Sequence, residues 1–107
     1  MNNIEKIKIE ISNIRFHLNS LRLICELMPS KEIKTEIHVS LKKLKELQNK
    51  LADEYVNQLR TACPNADALY EDKIISLIGE KEFNHVYFHC KKIQLCACIN
   101  GRRLYAI

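Results

Sequence analysis

The stretch IEKIKIEISNIRFHLNSLRLICELM, Ile4 to Met28, decides the architecture. Ile4, Ile7, Ile11, Ile14, Leu18, Leu21, Cys25 and Met28 follow one another at alternating steps of three and four residues. That is the a/d seam of a heptad repeat, the pattern a helix carries when it lies along another helix. Asn2 or Asn3 supplies a side-chain oxygen to cap the start. Pro29 ends the helix, since it has no N–H and pushes Met28 out of the helical region. The far side of this helix is not polar: Ile9, Phe16 and Leu23 stand about 170° from the seam at 100° per residue. The helix is therefore predicted to bury two opposite sides, one against a hairpin partner and the other against the rest of the chain or a second copy.

Downstream, Ser30 is a good N-cap for a second helix, and so short a link folds it back antiparallel. Its apolar positions, Ile33, Ile37, Leu41, Leu44, Leu47, Leu51, Tyr55, Leu59 and Ala62, advance at close to 3.6 residues per step until Cys63-Pro64 stops them. Such a helix is about 48 Å long at 1.5 Å per residue, whereas a compact chain of this size is roughly 33 Å across. Residues 1–63 are thus expected to form a helical hairpin that is also the dimerisation region, with residues 64–107 as a small separate module.

In that module Asn65 caps a third short helix, Ala66 to Ile78, with Asp67 in its first turn and Gly79 at its end. The period then changes from 3.6 to 2. Val86, Phe88 and Cys90 alternate at even positions and Ile93, Leu95, Ala97 and Ile99 at odd ones, a parity flip that a two-residue turn at Lys91-Lys92 produces. Asn100-Gly101 is a type I′ hairpin signal that returns Leu104 and Ala106 to the same face. The fold class is α+β: a long, coiled-coil-like α-hairpin, a short third helix and a C-terminal three-stranded antiparallel meander.

Composition narrows the function. With 107 residues, 47% of them hydrophobic, and only two Gly and two Pro, the chain folds rather than staying disordered. No apolar run is long enough for a membrane span or a signal core, so five cysteines imply reduced thiols in the cytoplasm. The formal charge of +4 is unevenly spread: residues 63–82 carry −3, and residues 83–107 carry +4 from Lys91, Lys92, Arg102 and Arg103 with no acid.

On the meander reading, His85, Tyr87, Arg102, Arg103 and Tyr105 share the outer sheet face, a basic and aromatic surface of the kind on which single-stranded bases stack. A metal is considered at His85, Cys96 and Cys98. His85 and His89 would lie about 13 Å apart on a strand, however, and Cys90 would face the other way, which leaves no closed ligand set. Neither metal nor cofactor is expected. A Cys98–His85 pair lacks an oxyanion hole and a third group, so no enzyme is expected either.

The reading that follows is a non-enzymatic, self-associating interaction module, a cytoplasmic regulator or adaptor that binds another protein. Its oligomer interface is drawn from Ile4, Ile7, Ile11, Ile14, Leu18, Leu21, Ile9, Phe16 and Leu23, most simply as a homodimer with a tetramer as the other choice. The alternative is a nucleic-acid-binding regulator using the sheet face. No membrane is involved in either.

Overall fold

The first helix begins where a side chain takes over an orphan donor. Asn2 Oδ1 accepts the Glu5 N–H at 2.8 Å, and α1 runs over Asn3–Leu27. Met28 leaves the helix at φ −141°, with its N–H on the Ile24 carbonyl, and Pro29 follows. Ser30 Oγ then accepts the Ile33 N–H at 3.1 Å and opens α2, Lys31–Ala62. The computed structural model describes residues 2–107. They divide into two compact units, one through Leu51 and the other Ala52–Ile107, so the last turns of α2 group with the C-terminal elements and the division falls earlier than the 63/64 point suggested by the sequence. None of the described helices is long and apolar enough to cross a membrane.

In the N-terminal unit the heptad seam is covered as far as Cys25, while its last position, Met28, is exposed. Ile7, Ile11, Leu18 and Leu21 are inaccessible, while Ile4, Ile14 and Cys25 are half-buried. On α2 the covered line runs Ile33, Ile37, Ser40, Leu44, Leu47 and Leu51, at steps of four and three. Helix α2 therefore carries a heptad seam of its own. Ser40 occupies the place that sequence periodicity gave to Leu41, which is instead exposed, because a hydroxyl residue does not register in an apolar count. Across the rim His17 Nε2 lies 3.4 Å from Glu36 Oε1, joining the two helices at the surface.

The C-terminal unit departs from the meander. After a turn closed by the Ala66 N–H on the Cys63 carbonyl at 3.2 Å, the chain enters strand β1, Ala68–Tyr70, where a helix from Ala66 is expected. The short third helix begins only at Glu71, and α3 covers Glu71–Ile78 with Glu71 and Asp72 in its first turn, where acids suit the dipole. Gly79, at φ 102°, ends it and starts α4, Glu80–His89. Residues 86–90, expected as a strand, thus belong to a helix and its cap. The reason is visible at Phe83, Val86 and Cys90: their steps of three and four are the helical ones, all three are buried, and Phe88, which the alternation placed inside, is 76% exposed.

Lys91-Lys92 does form a turn, but it leads from α4 into β2, Gln94–Ile99. The Asn100-Gly101 turn has both residues at positive φ, 53° and 77°, as type I′ requires, and returns the chain into β3, Arg102–Ala106. The sheet is three-stranded and antiparallel in the order β1-β3-β2. Strand β1 takes the place of the expected first meander strand because a central β3 needs backbone partners on both edges. Ile107 N–H on the Asp67 carbonyl, 3.1 Å, extends that ladder. A bulge between Leu95 and Ala97 shifts the register by one residue, so Tyr105 pairs with Leu95 and Ala106 with Gln94. The buried set of this unit is Ala52, Tyr55, Val56 and Leu59 of α2 with Ile74, Phe83, Val86, Cys90, Ile93 and Tyr105.

Candidate interaction surface

Two helices in a hairpin cover one side of each other, and α1 is apolar on two. With the seam buried, the opposite stripe stays in solvent: Phe16 is 76% exposed, and Ile9 and Leu23 are likewise open. The stripe extends further than the f positions alone, because Leu27, four residues beyond Leu23, is 83% exposed. The sequence reading missed Leu27, although its spacing to Leu23 was the available signal. Between the bulky residues stand Asn13 and Ser20, giving a second heptad line: Ile9, Asn13, Phe16, Ser20, Leu23, Leu27. Ser20 Oγ donates to the Phe16 carbonyl at 3.1 Å, so its hydroxyl already has a partner. Of the nine positions read as an interface, the six of the seam lie on the side of α1 that is buried or half-buried within the single chain, and Ile9, Phe16 and Leu23 form the free face. Ile24 and Met28 add exposed apolar surface at the hairpin end.

The basic and aromatic sheet face is dispersed. His85 and Tyr87 lie on α4, not on a strand. Tyr105 is 1% exposed, edge to face with Phe83 at 5.3 Å and 6.4 Å from Tyr87, so no base can stack on it. The two arginines face acids that arrive with α3. Arg102 Nη2 donates to both Asp72 oxygens at 2.9 and 3.1 Å while its guanidinium lies 4.0 Å over the Tyr70 ring. Arg103 Nη1 is 3.7 Å from Glu71. The Arg102 hydrogen bond holds the Asp72 carboxyl below its ordinary range. A hydrogen bond to Tyr105, with the charge of Glu71 behind it, raises the Arg103 pKa. The run of cations without acids in residues 83–107 is thus partly neutralised by Glu71 and Asp72, a pairing that linear charge counting does not reveal.

The histidines and cysteines separate in the same way. On α4, His85 and His89 are one turn apart, with ring centroids at 4.6 Å, and His85 meets Tyr55 of α2 at 6.1 Å. The 13 Å separation of a strand does not apply. Cys96 and Cys98 remain on β2, both exposed, with Cys96 Sγ on the Leu104 carbonyl at 3.3 Å. Of the Cys98–His85 pair considered from the sequence, Cys98 lies opposite Arg103 on the β2–β3 ladder while His85 is on α4. Among the described residues no three His, Cys, Asp or Glu side chains group as a metal would need. A shallow groove of about 260 Å³ runs beside the hairpin seam, lined by Arg15, Leu18, Asn19, Arg22, Leu41 and Leu44. Compared with known protein families, with curated proteins and with solved structures, the chain matches none.

Proposed function

We propose that the chain is a non-enzymatic interaction module that associates with itself through the outer stripe of α1 and, so assembled, binds another protein as a small cytoplasmic regulator or adaptor. The observation that carries this is the exposure of Ile9, Phe16, Leu23 and Leu27 along one line of a helix whose other apolar side is already covered. Contiguous exposed apolar surface of this kind marks association. Fully covering a Leu, Ile or Phe side chain gives roughly 1.5–3 kcal/mol. A two-fold pair brings eight such side chains together, a sum comparable to the roughly 4–15 kcal/mol lost on association. A homodimer is the simplest closed arrangement, and a tetramer the next. The cytoplasmic placement is supported by five free cysteines, of which Cys96 and Cys98 are exposed, a set suited to a reducing compartment.

Light scattering coupled to size exclusion at micromolar concentration tests the reading. A mass of twice 12.5 kDa, concentration-dependent and abolished by Phe16→Asp, is the expected result. A monomer at every concentration, with the helical signal of a folded chain, excludes it.

A further inference from the structure

The arrangement of the stripe specifies how a second copy sits on it. We infer that two copies pair antiparallel along α1, two-fold related at the level of Leu18, with Lys8 of each against the partner's Glu26; this rests on the self-association reading above. Lys8 directly precedes Ile9 and Glu26 directly precedes Leu27, and eighteen residues separate the two charges. Eighteen residues are five whole helical turns, so Lys8 and Glu26 stand on the same flank of the stripe, one at each end. Both are exposed.

In an antiparallel two-fold pair the same flank of each helix faces the other with its ends exchanged, so each lysine comes within two residues' rise, about 3 Å along the axis, of the partner's glutamate, twice per dimer. The same register interlocks the stripe. Ile9 meets the partner's Leu27, Asn13 meets the partner's Leu23, and Phe16 lies over the partner's Ser20. Bulk thus meets small residues, as knobs do holes. Covering Ser20 strands no donor, because its hydroxyl is already bonded to the Phe16 carbonyl at 3.1 Å. A pair centred two residues earlier sets Phe16 on Phe16 and Glu5 beside the partner's Glu26. A parallel pair also stacks Phe16 on Phe16 and turns Glu26 toward the partner's Met28. The register at Leu18 covers Leu27, the most exposed side chain of the stripe, with the partner's Ile9 and at the same time keeps the two Phe16 rings off each other.

The test uses the full chain in three forms: unaltered, Lys8→Glu and Glu26→Lys. Both sites are exposed, so each variant is expected to keep its circular dichroism. In either variant alone both contacts become repulsive, and the dissociation constant measured by sedimentation is expected to rise about tenfold, at the upper end for exposed pairs because the effect enters twice. Mixing the two variants makes both contacts attractive again, and a heterodimer of near-original affinity is expected. A dimer indifferent to both reversals, or variants that weaken without recovering on mixing, overturns the register while leaving self-association intact. An unaltered chain that is monomeric overturns both.

Discussion

Tyr105 of β3 and Phe83 of α4 meet edge to face, their ring centroids 5.3 Å apart and their planes at 72°. The contact fastens the middle strand of the sheet to the helix that sequence alternation takes for a strand, and both side chains are buried. Removing either ring leaves a cavity that few neighbours can fill, so Phe83→Ala and Tyr105→Ala are each expected to cost about 3–5 kcal/mol. Tyr105→Phe keeps the ring and loses only the hydroxyl that Arg103 engages; about 1 kcal/mol is expected. Urea unfolding followed by circular dichroism reads all three. A Tyr105→Phe loss as large as that of Tyr105→Ala would place the stability in the hydroxyl rather than the ring.

Acid should loosen the join between β3 and α3. The Asp72 carboxyl, ordinarily at 3.8, is held lower in the folded chain by the Arg102 hydrogen bond. A carboxylate depressed on folding stabilises above its unfolded pKa and loses that contribution as pH falls through its folded value. Asp72→Asn and Arg102→Ala are therefore expected to shift the urea midpoint slightly downward at pH 6, by similar amounts and without adding in the double variant. Against Asp72→Asn the difference is expected to shrink progressively as pH falls below the ordinary value of 3.8. The effect is small because both groups face solvent. A difference from Asp72→Asn that persists unchanged at pH 2 rules out the ionic origin.

The hairpin was legible because its information is local and periodic. A seam at steps of three and four, an Asn at the start, Pro29 and Ser30 in the link, and Cys63-Pro64 at the end leave little freedom. The Asn100-Gly101 turn was legible for a similar reason, since few residues tolerate positive φ. What could not be read was decided by distant partners. Residues 86–90 satisfy both an alternating and a helical pattern, and the choice falls to the buried places of Phe83 and Val86. Ala68–Tyr70 is too short to announce a strand and becomes one because β3 needs a second edge partner. The supposed sheet platform failed with them, because Tyr105 turned inward and Glu71 and Asp72 arrived from α3 to meet the arginines.

The β2–β3 turn offers a sharp backbone test. Gly101 sits at φ 77° with no neighbour within reach of an added side chain, so what a substitution costs there is conformation, not collision. Gly101→Val forces a β-branched residue into the left-handed region, a penalty of at least about 1–2 kcal/mol. Asn100→Gly, at φ 53°, is expected to be nearly neutral. Hydrogen exchange of the β2 and β3 amides is the direct measurement: faster exchange in Gly101→Val, and little change in Asn100→Gly. Equal protection in all three would mean that the turn is not what holds the register, leaving that part to the bulge at Leu95 and Ala97.

The two apolar sides of α1 should answer differently to the same chemical insult. Ile11 is buried in the seam, so Ile11→Asp places a carboxylate where it has neither water nor partner, at a cost of several kcal/mol. Helical signal is expected to fall, and any assembly with it. Phe16 stands in solvent on the opposite side, and an aspartate there leaves the single chain as it was. Phe16→Asp is therefore expected to retain full helicity and thermal stability at concentrations where the chain is monomeric, and to lose only the concentration dependence of its mass and melting temperature. Ser12, beside the stripe, is the control, and Ser12→Ala should change neither. If Phe16→Asp instead melts the helix while Ile11→Asp is tolerated, the inner and outer faces of α1 are the reverse of those described, and the surface through which copies meet must be sought on the seam.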